Sequence, residues 1–196
     1  MTDTNRNSGP RCIAIVGPFS SGKTSVMEAI LDRAGAIDKP GSMTEGTSVG
    51  DASPEARAHN MSVELNAAHA DFMGETYTFL DCPGSVEFAY ESEPATAAVD
   101  AAIVVVEPDE KKIPALQVVL KALEQRGIPR ILFLNKIDKA TIGARDALSM
   151  LQPASEIPLV LRQVPTWKDG SPPASSIWRS TVPMSTANTL RAKSLI

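Results

Sequence analysis

The sequence is short of the residues that build metal cages and covalent staples. It has two cysteines and two histidines in 196 residues. Cys12 falls in an apolar run and Cys82 in a loop before a proline. Neither has the paired spacing of a zinc ligand set, and two reduced thiols in a cytoplasmic protein are expected. No apolar run approaches the roughly 20 residues of a membrane-spanning helix. Residues 1–10 are polar and lack the apolar centre of a signal peptide, so they read as a disordered leader. Clustered lysine and arginine are also missing, and the net charge is -4, so no patch grips nucleic acid directly. The length remains sufficient for one α/β domain with a full core.

The chain is organised around Gly17-Pro18-Phe19-Ser20-Ser21-Gly22-Lys23-Thr24. This is the pattern GxxxxGK[ST], placed between the apolar run Cys12–Val16 and a helical pattern over Ser25–Ala34. Gly17 and Gly22 permit backbone conformations closed to other residues, so successive N–H groups can face one anion. The helix that follows adds its positive dipole end. Lys23 is placed to reach β- and γ-phosphates, and the Thr24 hydroxyl to bind Mg²⁺.

Further along, residues 36–62 are rich in glycine, proline and small polar residues without periodicity, the mark of a switch-like functional loop. An edge strand is predicted over Ser62–Ala67 and another over Tyr77–Leu80, with Gly74-Glu75 as the turn between. Val86–Ala98 is weakly helical and interrupted by Pro94. Ala101–Val106 and Ile131–Leu134 read as buried parallel strands. Ile113–Arg126 and Ile142–Leu151 read as helices, and Ile157–Leu161 as a last, weaker strand. Strands alternating with helices predict a mainly parallel, doubly wound P-loop sheet, with ligands at the carboxyl ends of the strands.

Two more motifs sit at those ends. Asp81-Cys82-Pro83-Gly84-Ser85 follows the strand ending at Leu80. Asp81 can hold Mg²⁺ through a water, and Gly84 can offer its N–H to a γ-phosphate with no side chain in the way. Asn135-Lys136-Ile137-Asp138 has the form NKxD. A carboxylate there accepts both N1–H and N2–H of guanine, and adenine would leave it desolvated and unpaired. The expected ligands are GTP or GDP with Mg²⁺.

Together, GPFSSGKT, DCPGS and NKID resemble the GTP-binding domain of translational GTPases of the elongation factor G type, over about Arg11 to Trp167. The resemblance implies GTP and Mg²⁺ binding, hydrolysis stimulated by the ribosome, and a role in translocation. Ser62, after His59-Asn60-Met61, matches the family's switch threonine, which meets Mg²⁺ and the γ-phosphate. The chain departs from the family at Ser85, where the family's DTPGH carries a histidine that orients the attacking water. Loss of such a group costs on the order of 10²–10⁴ in rate, so binding is expected to be better kept than hydrolysis. His59 and His69 are read as switch or surface residues, with His59, in the loop, as an alternative replacement for the family's histidine.

The resemblance further implies a domain over 11–166, incomplete at its C-terminus, since the family's base-contacting Ser-Ala loop has no match. Residues 167–196 read as a disordered tail, out of frame from about Ser171. A DNA run TTC ATC GAT CTG GCG encodes the family's Phe-Ile-Asp-Leu-Ala, and one base later it encodes Ser175 to Arg179 of this chain. A native disordered tail is the alternative. Three functions are weighed: a GTPase, a GTP-binding module or inert fragment without hydrolysis, and a P-loop kinase or ATPase. NKID argues against the third, and Ser85 and the tail favour the second.

Overall fold

The computed structural model describes residues 11–42, 46–49, 64–85, 94–140 and 142–163. Within them lie five strands: β1 (Arg11–Val16), β2 (Asn66–Phe72), β3 (Glu75–Asp81), β4 (Ala101–Val106) and β5 (Arg130–Leu134). The helices are α1 (Lys23–Arg33), α2 (Ile113–Gln125) and α3 (Ala144–Leu151). The strands form one sheet in the order β2-β3-β1-β4-β5, parallel throughout except for the β2–β3 hairpin.

The alternation of a strand's side chains explains why β4 is apolar without interruption. Ala102, Val104 and Val106 pack with Leu116, Leu120 and Leu123 of α2. Val105, and Ile103 beside it, pack on the other face with Val26, Met27 and Leu31 of α1. The three α2 leucines recur at helical spacing, and none is more than 1% exposed. On the α1 face, a groove of about 720 Å³ runs past Ile13, Ile30, Phe79, Ile103 and Phe133.

Three expected elements differ. The edge strand is Asn66–Phe72, not Ser62–Ala67. Its register is fixed by a two-residue turn at Met73 and Gly74, both at positive φ (53° and 82°), and Glu75 already belongs to β3. Ile157–Leu161 is not a strand. The Gln152 side chain holds the backbone there instead, donating to Ile157 O at 3.1 Å and accepting from Leu159 N at 2.8 Å. Helix α3 begins at Ala144, two residues after the expected start. Of the weakly helical stretch Val86–Ala98, residues 94–97 are helical and 86–93 lie outside the described residues. Much of the expected switch-like loop also lies outside them, including His59 and Ser62, as do the leader and 164–196.

Strand β1 is central. The chain passes from it through α1 to β2 and β3 on one side, then crosses to β4 and β5 on the other. Next to β1 the direction of winding reverses, which opens a crevice at the carboxyl ends of β1, β3 and β4.

Candidate functional site

The loop 17–22 leaves β1 inside that crevice. Gly17, Pro18 and Ser21 are buried, while Phe19 and Ser20 are exposed. Gly22 caps α1 in the left-handed region (φ 93°), and a Cβ there would lie 2.3 Å from Asn135 Nδ2. Only glycine meets both conditions. The same Asn135 amide donates to Ser21 O at 2.9 Å, and Lys136 Nζ donates to Ser20 O at 2.6 Å. The NKID loop is therefore fastened to the first loop across 114 and 116 residues of sequence.

The DCPGS loop reaches the same place from β3. Cys82 N–H donates to Ile15 O at 3.0 Å, which pins the buried Cys82 beside β1. Pro83 is buried and Gly84 half-buried. A Cβ on Gly84 would stand 2.2 Å from Lys23 Nζ and 2.9 Å from both Gly17 O and Pro18 O. The two loops touch through bare backbone at this point. Ser85 is half-buried and borders a hollow of about 310 Å³ with Gly17, Gly84 and Thr96.

Four polar side chains are buried where these loops meet: Lys23 is 6% exposed, Thr24 4%, and Ser21 and Asp81 0%. Lys23 Nζ donates to Pro18 O at 3.2 Å, and Thr24 Oγ1 donates to Asp81 Oδ2 at 2.6 Å. A hydroxyl and a carboxylate oxygen at this separation are hard donors that fit Mg²⁺. Among the described residues no three His, Cys, Asp or Glu side chains converge on a metal site. A cation held by Thr24 and Asp81 would thus need further oxygens, such as those of a phosphate chain or water.

At the other end of the crevice, Lys136 takes the left-handed conformation (φ 55°), which starts the short 3₁₀ turn Ile137–Lys139. Ile137 is half-buried, and Asp138 is exposed at the rim of the site.

This geometry accords with comparison to known proteins. Residues 9–185 match the family described as the elongation factor Tu GTP binding domain. The chain belongs to that family. This GTP-binding domain is 39% identical over 162 residues to an elongation factor G-like protein of Synechocystis, covering 83% of this chain and 24% of that protein. It is 33% identical over 150 residues to an elongation factor G-like protein of Mycobacterium tuberculosis, covering 76% and 21% respectively. A Thermus thermophilus protein of known crystal structure superposes with a TM-score of 0.73 at 31% identity, over 86% of this chain and 24% of that one. A bacterial selenocysteine-specific elongation factor shares the fold, with a TM-score of 0.54 at 23% identity. The chain thus spans about a quarter of the length of the relatives it matches. It is a translational-GTPase type of GTP-binding domain, and no helix among the described residues is long and apolar enough to cross a membrane.

The domain also holds working residues that no motif contains. Glu28 on α1 is 1% exposed and accepts from Gly41 N at 2.8 Å and from Val49 N. It ties the chain beyond α1 back to the helix that carries Thr24. Glu107, at the carboxyl end of β4, pairs with both Lys112 and Lys136. Burial, and then the Lys136 charge, lower the Lys112 ammonium from its ordinary pKa. The sequence signal for Glu107 was its place immediately after a buried parallel strand.

Proposed function

We propose that this chain binds GTP and GDP with Mg²⁺ as the nucleotide module of an elongation factor G-like translation factor, in the cytoplasm. The observation that carries the reading is the fastening of NKID to the phosphate loop through Asn135 and Lys136. It joins a base-reading loop and a phosphate-holding loop into one cradle. In this reading backbone N–H groups within residues 19–24 and the Lys23 ammonium hold the β- and γ-phosphates. Thr24 and Asp81 hold Mg²⁺, with Ser62 as a further ligand in the segment outside the described residues. Mg²⁺, when bound, neutralises phosphate charge. Gly84 gives the γ-phosphate an N–H donor. Asn135 holds the loop, the Lys136 stem lies along the base, and Asp138 accepts from guanine N1–H and N2–H.

Binding is stronger than catalysis in this account. Ser85 is too short to position a water as an imidazole does, so intrinsic hydrolysis is slow. Ribosome contact, stimulated hydrolysis and translocation are proposed for the whole factor, on family resemblance. A domain over 11–166, with a tail beyond it that leaves the reading frame near Ser171, is part of the same proposal. Sequencing the downstream DNA tests the tail: an in-frame continuation of the factor one base away is expected, and its absence contradicts the idea. Single-turnover GTP hydrolysis with and without ribosomes separates a GTPase from a binding module. Binding without measurable turnover is the expected result, and rapid turnover by the chain alone contradicts it.

A further inference from the structure

The fastening of the phosphate loop is extended by residues outside the motifs. Three consecutive exposed or turning carbonyls receive a side-chain donor: Phe19 O from Lys112 Nζ at 2.9 Å, Ser20 O from Lys136 Nζ at 2.6 Å, and Ser21 O from Asn135 Nδ2 at 2.9 Å. The two ammonium groups are not independent. Glu107 Oε1 pairs with Lys112 and Glu107 Oε2 with Lys136, the latter at 3.2 Å. Glu107 is 15% exposed, Lys112 21% and Lys136 31%, so the pairs are largely shielded from water.

Peptide groups are flat and trans, so a carbonyl drawn to one side turns the N–H of the same peptide to the other. Holding Phe19 O and Ser20 O against the lysines directs the N–H groups of Ser20 and Ser21 to the opposite side of their peptide planes. Ser21 N–H donates within the loop, to Pro18 O at 3.3 Å. Ser20 itself sits in the left-handed region (φ 57°), as does Lys136 (φ 55°), a conformation that a non-glycine residue keeps only when its surroundings hold it there.

We infer that Glu107 is a positioning residue for nucleotide binding: by gripping Lys112 and Lys136 with its two oxygens, it holds the Phe19 and Ser20 carbonyls away from the anion and keeps the phosphate loop shaped to receive it. This rests on the nucleotide-binding reading above. It adds a residue pair, Glu107 and Lys112, that belongs to neither GxxxxGK[ST] nor NKxD.

The test exploits a conflict of sign. If Glu107 were merely a negative charge near a polyphosphate, Glu107→Gln would tighten binding, because it removes a repulsion. As the centre of the clamp, the same change loosens it. GDP affinity in Mg²⁺ is measured by titration of a fluorescent GDP analogue for wild type, Glu107→Gln, Lys112→Met, Lys112→Arg and the Glu107→Gln/Lys112→Met double variant, each checked for folding by circular dichroism. Glu107→Gln and Lys112→Met are each expected to weaken binding about tenfold, the lower end of the scale for a charged hydrogen bond. The double variant is expected to lose less than the product of the two, because both act on one unit. Lys112→Arg, which keeps the cation, is expected to recover part of the loss. Unchanged or tighter binding by folded Glu107→Gln overturns the inference, as does a double variant whose loss is the full product. A folded wild type that takes up no GDP overturns the nucleotide reading itself, and the clamp with it.

Discussion

In the proposed reading, base choice depends on Asp138. It is exposed at the rim of the crevice, and its carboxylate has no hydrogen-bond or ion-pair partner among the described residues, so both oxygens are available to a ligand. Asp138→Asn exchanges one acceptor for a donor and sets it against a donor of guanine. Competition titrations are expected to show GTP preference over ATP falling by on the order of 10²-fold, the worth of one or two charged hydrogen bonds. At Ser85 the expected change has the other sign. Ser85→His supplies an imidazole, and single-turnover GTP hydrolysis by the chain is expected to rise by on the order of 10²–10⁴. Cys12 offers a check on the local environment. Burial, and then the Asp100 charge, raise its thiol above the ordinary range. Alkylation of Cys12 in the folded chain is therefore expected to be slow at pH 8 and to quicken only in alkali, above the pH that suffices for the unfolded chain. Motif residues were legible because each motif is a contiguous string. Glu107 and Glu28 were not, because their meaning lies in partners far along the chain.

Among the elements, α1 and α2 carry the packing that sets the loops in place. Leu120 is fully buried between α2 and the sheet. Leu120→Ala is expected to cost about 2–5 kcal/mol of unfolding free energy in urea titrations. Glu28→Ala would strip two backbone N–H groups of their acceptor, and about 2–3 kcal/mol is expected to be lost. It should also speed amide exchange at Gly41 and Val49 while leaving α2 protected. Strands β1, β4 and β5 and helix α2 were plain in the sequence, since their apolar patterns are long and bounded by glycine, proline or polar motifs. Strand β2 was not, because its buried positions, Ala68 and Ala70, are small and give little contrast with their neighbours. The positive-φ pair Met73-Gly74 fixes where it lies, and methionine is a poor advertisement for that conformation. Ile157–Leu161 had the composition of a strand, but the side chain of Gln152 took its backbone groups.

For the whole molecule, one topological fact gives the site its location: the winding reverses beside β1, and the loops after β1, β3, β4 and β5 meet there. A ligand that binds only the folded chain should stabilise it by RT ln(1 + [L]/Kd), about 2.7 kcal/mol at a hundredfold excess over Kd. Guanine nucleotides are expected to raise the melting temperature by several degrees and adenine nucleotides to leave it in place. The fold class was legible because the strand–helix alternation admits few topologies. The cross-loop bonds that make one cradle of three motifs appear only in three dimensions. The most direct measurement is isothermal titration calorimetry of the folded chain with GTP, GDP and ATP in Mg²⁺. Saturable binding of both guanine nucleotides is expected, with ATP binding weaker by at least about 10³-fold. Equal uptake of ATP and GTP, or uptake of none by a chain that circular dichroism shows to be folded, would contradict it.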